Sequence, residues 1–214
     1  MNVVFAIKAV PERRAMVRAT EAVLAGVPHL VVWDYEHRGV TWCTCEALRR
    51  VMLRYTSEWI CILADDFVYC HDFPLVVDDL CARTKMDALL LYSMAKPKGK
   101  IVEVYGELQL RRRPSHQLMV VPVYRRKVAK ILLSTLMQSL AKGARRDDDG
   151  IAADMIAKCG FKSAVVWPNL CDHIGRRSIL GNNWLVGGKE RRSAWFPGTD
   201  WRPSLSEGKP RKAT

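Results

Sequence analysis

No apolar run in the 214 residues is long enough to cross a bilayer, so no helical membrane span is expected. The first seven residues, Met1-Asn2-Val3-Val4-Phe5-Ala6-Ile7, carry neither a basic leader nor a small-residue cleavage site. No signal peptide is expected, and cytoplasmic residence is. Paired cysteines are missing too. There are seven, an odd number, and Cys43-Thr44-Cys45 has the wrong spacing for a zinc knuckle or a thioredoxin-like dithiol, with no second pair to follow. A disulfide scaffold and a zinc ribbon are thereby excluded, and several cysteines fall inside apolar elements as small hydrophobes. No internal repeat or domain-splitting boundary is visible. Acidic residues are scarce in one place. The chain holds 34 Lys+Arg against 22 Asp+Glu, net +12, but residues 96–146 alone hold 13 against 2. Residues 1–95 carry −2, residues 147–182 carry −1 and residues 183–214 carry +4. A basic field so localised attracts polyanions, although a solvated basic surface without a partner has the same composition.

What is present is a globular composition, 49% hydrophobic, in a chain long enough to bury one substantial core. Its focus is Trp59-Ile60-Cys61-Ile62-Leu63-Ala64-Asp65-Asp66-Phe67, an apolar run that ends on two adjacent acids. The run predicts a strand buried on both faces. Unpaired carboxylates are too costly in such an interior, so Asp65 and Asp66 belong at the strand's carboxyl end. That edge of an α/β sheet is where ligands bind. Two oxygen donors there suit a hard divalent cation, and such a cation suits a phosphate-bearing substrate. The bland alternative is an acidic surface turn.

Around this run the elements alternate. Asn2 to Ala9 predicts a first strand. A helix opens at Pro11-Glu12-Arg13-Arg14 and stops at Gly26 and Pro28. Leu30 to Trp33 predicts a strand ending on Asp34, and Thr44 to Tyr55 a helix. Short connections between them imply right-handed crossovers and a parallel sheet, with Asp34 sharing an edge with Asp65 and Asp66. Farther on, Asp72 is the expected N-cap of a third helix. Strands are expected over Met86–Ser93, Ile101–Leu110 and Gln117–Val123, then a basic helix over Arg125–Ala141. Asp147-Asp148-Asp149-Gly150 is expected to cap a helix ending at Cys159-Gly160, and Ser163–Trp167 to form a late strand.

This ordered set resembles the nucleotide-sugar-dependent glycosyltransferases of the GT-A fold, and most of all the compact single-domain members of bacteriophages. The resemblance covers roughly residues 2–182. It rests on Pro11-Glu12-Arg13-Arg14 after the first strand, Asp34 after the second, Ala64-Asp65-Asp66 in the place of an Asp-x-Asp motif, and Pro168-Asn169-Leu170-Cys171-Asp172-His173-Ile174-Gly175-Arg176-Arg177-Ser178 late in the chain. It implies a single-domain, Rossmann-like α/β fold with a mixed, mainly parallel sheet flanked by helices. Residues 1–95 would form the donor half, 96–182 the acceptor half and 183–214 a basic aromatic tail. One departure stands out: Ala64 replaces the first acid of the motif.

The implied chemistry moves a sugar from a nucleoside-diphosphate sugar, UDP-linked by preference, to a hydroxyl with inversion. Asp66 and His173 would hold Mn2+ or Mg2+, which acts on the departing diphosphate as a Lewis acid. Pro11, Arg13, Asp34, Asp65, Arg176 and Arg177 would bind the donor. Asp148 or Asp149 would be the base, unless the trio only caps its helix. The basic acceptor half, with Arg111, Arg112, Arg113, Arg125 and Arg126, and the tail, with Arg191, Arg192 and Trp195, suit a polyanion. DNA leads, as in phage enzymes that glycosylate hydroxylated pyrimidines in the infected bacterium. Two other classes fit the same residues: a transferase acting on a small or lipid-linked acceptor, and a metal-dependent nuclease or nucleotidyltransferase built on Asp65 and Asp66.

Overall fold

The run that ends on the acid pair forms the strand Trp59–Ala64, buried on both faces. The computed structural model describes residues 1–113, 120–143, 147–174 and 192–205. Within them the chain order is β1 (Val3–Ala9), a 3-10 turn (Pro11–Arg13), α1 (Arg14–Val23), β2 (His29–Trp33), α2 (Val40–Arg54), β3 (Trp59–Ala64), β4 (Phe67–Tyr69), α3 (Phe73–Arg83), β5 (Ala88–Leu90), β6 (Ile101–Tyr105), β7 (Leu108–Arg112), β8 (Pro122–Arg125), α4 (Arg126–Ala141), α5 (Asp148–Lys158), β9 (Ser163–Trp167) and β10 (Cys171–His173). No helix among the described residues is long and apolar enough to cross a membrane.

Eight strands form one sheet in the order β2-β1-β3-β8-β5-β9-β7-β6. β2, β1 and β3 are parallel to one another, as are β5 and β9. β8 runs against both β3 and β5, and β7 runs against both β9 and β6. Six strands therefore point one way and two the other, the mixed, mainly parallel α/β sheet that the alternation predicts. Along the central strands successive side chains face opposite ways. Phe5, Ile7, Cys61 and Leu63 join a core under α1 and α3. Val4, Ala6, Ile60 and Ile62 join another under α2, α4 and α5. Each valine, leucine, isoleucine or phenylalanine among them contributes roughly 1.5–3 kcal/mol of burial free energy.

Several elements differ from their sequence expectation, each for a local reason. The single strand expected over Ile101–Leu110 is a hairpin, because Gly106 takes φ 55 and reverses the chain. Helix α2 begins at Val40, four residues before Thr44, because both oxygens of Asp34 accept backbone N–H groups just ahead of it. Asp72 is not a side-chain cap. It sits at φ 54, its carbonyl accepts from Leu75 and Val76, and its carboxylate pairs with His71. The expectation for Asp147 holds: its side chain accepts from Gly150 N at 3.1 Å at the start of α5. The strands β4 and β10 have no clear sequence signal and, among the described residues, pair only with each other.

Candidate active site

The first three strands deliver Val10, Asp34 and the Asp65-Asp66 pair to one edge of the sheet, as the alternation requires. Asp65 Oδ2 accepts from Val10 N at 2.9 Å. Arg13 Nη1 lies between the two acids, 2.8 Å from Asp65 Oδ1 and 2.6 Å from Asp66 Oδ2. The 3-10 turn Pro11–Arg13 swings Arg13 back over the edge that β1 has just left. The fourth member comes from far along the chain. β10 pairs with β4 so that His173 stands opposite Phe67, and Ile174 N donates to Asp66 O at 2.9 Å. The imidazole is then edge-on to the Phe67 ring, with Nε2 3.1 Å from Asp66 Oδ2. Its Nδ1 is buried and has no hydrogen-bond partner among the described residues. Both acids are almost wholly buried. Burial pushes the Asp65 carboxyl up despite Arg13. Burial also works to raise Asp66, but His173 and Arg13 outweigh it and hold its carboxyl low.

Geometry and charge test whether these groups fit a divalent cation. Two ligand atoms at about 2.1 Å from one ion and at right angles are about 3 Å apart. Asp66 Oδ2 and His173 Nε2, at 3.1 Å, meet that spacing. Asp66, whose carboxyl is held low, presents a carboxylate oxygen at this edge, which favours a cation over a bare diphosphate. Among the described residues there is no cluster of three or more His, Cys, Asp and Glu ligands. Asp66 and His173 would leave most of an ion's shell to water and phosphate oxygens, the coordination that Mg2+ prefers. Ala64, where the Asp-x-Asp pattern has its first acid, adds no ligand.

Asp34 is also at this edge, but its carboxylate is committed. It accepts from Arg38 N and Gly39 N, both at 2.8 Å, and so holds the loop between β2 and α2. Burial and the Asp34 charge push the neighbouring Cys43 thiol up to about 12, which leaves it an inert hydrophobe.

A second ionic cluster lies on the opposite face of β1. Lys8 pairs in register with Ala64, one residue before the acids, and its ammonium reaches Asp148 Oδ2 at 2.6 Å. Thr44 donates to the same oxygen at 2.5 Å. Lys8 was not singled out from the sequence. The available signal was a lone charge inside an apolar strand, which needs a buried partner. Asp148 is held below the usual carboxylate range: burial acts to raise it, and Lys8 and Thr44 overcome that. Asp149 is half-buried beside it and is pushed well up, first by burial and then by the Asp148 charge. The two candidate bases thus differ. Asp148 is tied into the fold, whereas Asp149 is a carboxyl tuned toward stronger basicity.

The described arginines of the expected acceptor half are not gathered at this edge. Arg125 pairs with Trp59 at the amino end of β3, lies over its ring at 4.3 Å, donates to the Met86 and Thr84 carbonyls and pairs with Glu58. Arg126 donates to the Ser57 and Met52 carbonyls. Arg113 is buried, donating to Ser163 Oγ and the Ala153 carbonyl. These three fasten the fold and do not line an open acceptor surface. Arg111 and Arg112 are more exposed, with Arg111 bonded to Gln109 and to the carbonyls of Pro97 and Gly99. They lie beside Val165 and Ala164 near the start of β9, toward the amino edge of the parallel strands. At about 3.3 Å per residue, one strand length puts roughly 20 Å between the two edges.

Residues 192–205 of the expected tail form a strap across the α1 and α3 face. Phe196, Trp201 and Leu205 pack on that core, and Trp195 rests on Trp167 at 5.8 Å. Arg192 pairs with Asp172, next to His173. Arg176, Arg177 and Arg191 lie outside the described residues.

No protein-family model matches this sequence, and no curated protein does. Among solved structures, A197 from STIV aligns at 12% identity and TM-score 0.45, covering 81% of this chain and 85% of its own. TarS 1–349 from S. aureus aligns at 10% identity and TM-score 0.45 over 77% of this chain, which spans 58% of that structure.

Proposed function

We propose that this protein is a glycosyltransferase of the GT-A type, moving a sugar from a nucleoside-diphosphate sugar to a hydroxyl group. The observation that carries this reading is the convergence of Arg13, Asp65, Asp66 and His173, from three segments, at the carboxyl edge of a parallel run of strands. Asp66 and His173 would hold a divalent ion, which when bound neutralises charge on the leaving diphosphate. Arg13 supplies charge-assisted hydrogen bonds to phosphate oxygens. In the transfer, the acceptor oxygen bonds to the anomeric carbon as the bond from that carbon to the diphosphate breaks, and the electron pair leaves with the diphosphate. The acceptor proton passes to Asp149. A nuclease on Asp65 and Asp66 is less well supported, because such sites gather more carboxylates around two ions, and Asp34 is committed to its loop.

The test is a panel of sugar nucleotides offered with Mn2+, reading release of the nucleoside diphosphate and its binding by calorimetry. Asp66→Ala is expected to reduce both at least 100-fold while the protein stays folded, since Arg13 keeps Asp65 as a partner. Wild-type behaviour in that variant removes Asp66 from the site.

DNA as the acceptor rests on charge. Arg111 and Arg112, with Lys96, Lys98 and Lys100, give a basic corner that would grip phosphates away from the transfer edge. Each phosphate contact contributes about −0.9 to the slope of log affinity against log salt. Reversing Arg111 and Arg112 together to glutamate is expected to flatten the slope by about 2 and to leave sugar-nucleotide binding unchanged. Binding to duplex DNA with no salt dependence, or an unchanged slope in the double reversal, rules this corner out as the DNA contact. Arg113 is left out of the substitution because its burial would turn the test into one of folding.

A further inference from the structure

We infer that Arg13 is a resident counter-ion in the candidate metal site, which a divalent ion displaces from Asp66 and redirects to the incoming diphosphate. The inference rests on the metal and nucleotide-sugar reading above and deepens it. Its basis is one oxygen. Asp66 Oδ2 is the atom 3.1 Å from His173 Nε2, so it is the atom an ion shared with that imidazole must bind. The same oxygen already accepts from Arg13 Nη1 at 2.6 Å. An ion about 2.1 Å from that oxygen would stand within a few ångströms of the guanidinium, and two positive groups so close repel strongly in a site shielded from water. Arg13 and the ion therefore compete for Asp66.

The competition has a use. Without an ion, Arg13 supplies the positive charge that two almost wholly buried acids need, so the site is stable when empty. The Asp66 carboxylate then faces an incoming diphosphate, which disfavours a lone diphosphate. An ion on Asp66 removes that opposition. Arg13 keeps Asp65, at 2.8 Å from Nη1, as a pivot, and the guanidinium released from Asp66 turns toward phosphate oxygens. Ion and diphosphate then bind with positive cooperativity, because each contributes to moving the same arginine.

The test uses the full chain with Mn2+ alone, and with inorganic pyrophosphate or UDP in the presence of Mn2+, both by calorimetry. Arg13→Gln is expected to bind Mn2+ alone about 10-fold tighter than the wild type and to bind pyrophosphate about 10-fold weaker. Its melting temperature should be lower without metal and recover with Mn2+ by more than the wild type gains. Arg13→Lys, which keeps the charge but lacks the planar fork, supplies the comparison if the glutamine variant folds poorly, and it should show the same two opposite changes at smaller size. Mn2+ affinity that stays the same or falls in these variants overturns the inference. So does pyrophosphate affinity that is unchanged. A wild-type protein that binds Mn2+ but neither UDP nor pyrophosphate overturns the nucleotide-sugar reading as well, so the two failures are read from separate titrations.

Discussion

Asp149→Asn is expected to slow sugar transfer by about 10²–10⁴-fold while donor binding stays within a few-fold of wild type. The two acids at the start of α5 are neighbours with opposite surroundings. Asp148 spends its oxygen on Lys8 and Thr44. Asp149 is pushed up by burial and by the Asp148 charge, the direction that makes a carboxylate a better proton acceptor near neutral pH. Asparagine keeps the shape and the helix position but accepts no proton. The pH profile separates a base from a cap. In the wild type, transfer should rise as pH rises through the Asp149 titration, because only the ionised form takes the acceptor proton. The variant should lose that limb. Full turnover with an unchanged profile makes Asp149 a capping residue and sends the search for the base elsewhere.

Asp148→Asn should behave differently, as a stability variant costing about 3–5 kcal/mol, because it leaves Lys8 charged and buried without its partner. For a chain of this size each kcal/mol lowers the melting temperature by roughly 2–4 °C, so a loss of about 6–20 °C is expected by calorimetric scan. The double variant Lys8→Met with Asp148→Asn should recover much of it, since removing both charges leaves nothing unpaired. The pH dependence has a defined sign. Lys8 is raised in the fold, so its share of stability is complete below its unfolded value near 10 and is lost as pH rises through the folded one. Asp148 is lowered, so its share is complete above about 4 and is lost as pH falls through its folded value. The pair therefore stabilises most between about pH 4 and 10, and Asp148→Asn should remove both limbs. A melting temperature within a degree or two of wild type contradicts the buried pair.

These two results also guard against misreading the site. Loss of activity in Asp148→Asn by itself reports unfolding as readily as chemistry. Asp149→Asn, at a half-buried position with no ion pair to break among the described residues, tests the base directly.

The sequence by itself determined the alternating α/β order, the central strand and the carboxyl edge where Asp34, Asp65 and Asp66 emerge. Those features are local. An apolar run six residues long that ends on two acids admits few other conformations, and short connections between strand and helix force parallel neighbours. Only the tertiary structure decided which charges meet. Lys8 and Asp148 are 140 residues apart, and Arg13 and Asp66 are 53 apart. His173 reaches Asp66 only because two three-residue strands pair with each other, and strands that short leave almost no mark on a sequence. The basic segment shows the limit most clearly. Its +11 is a fact of composition, but the fold buries Arg113, ties Arg125 and Arg126 to carbonyls and carries Arg111 and Arg112 toward the far edge. Charge counts along a chain do not carry direction. Strand polarity does, and it is set by which strands pair.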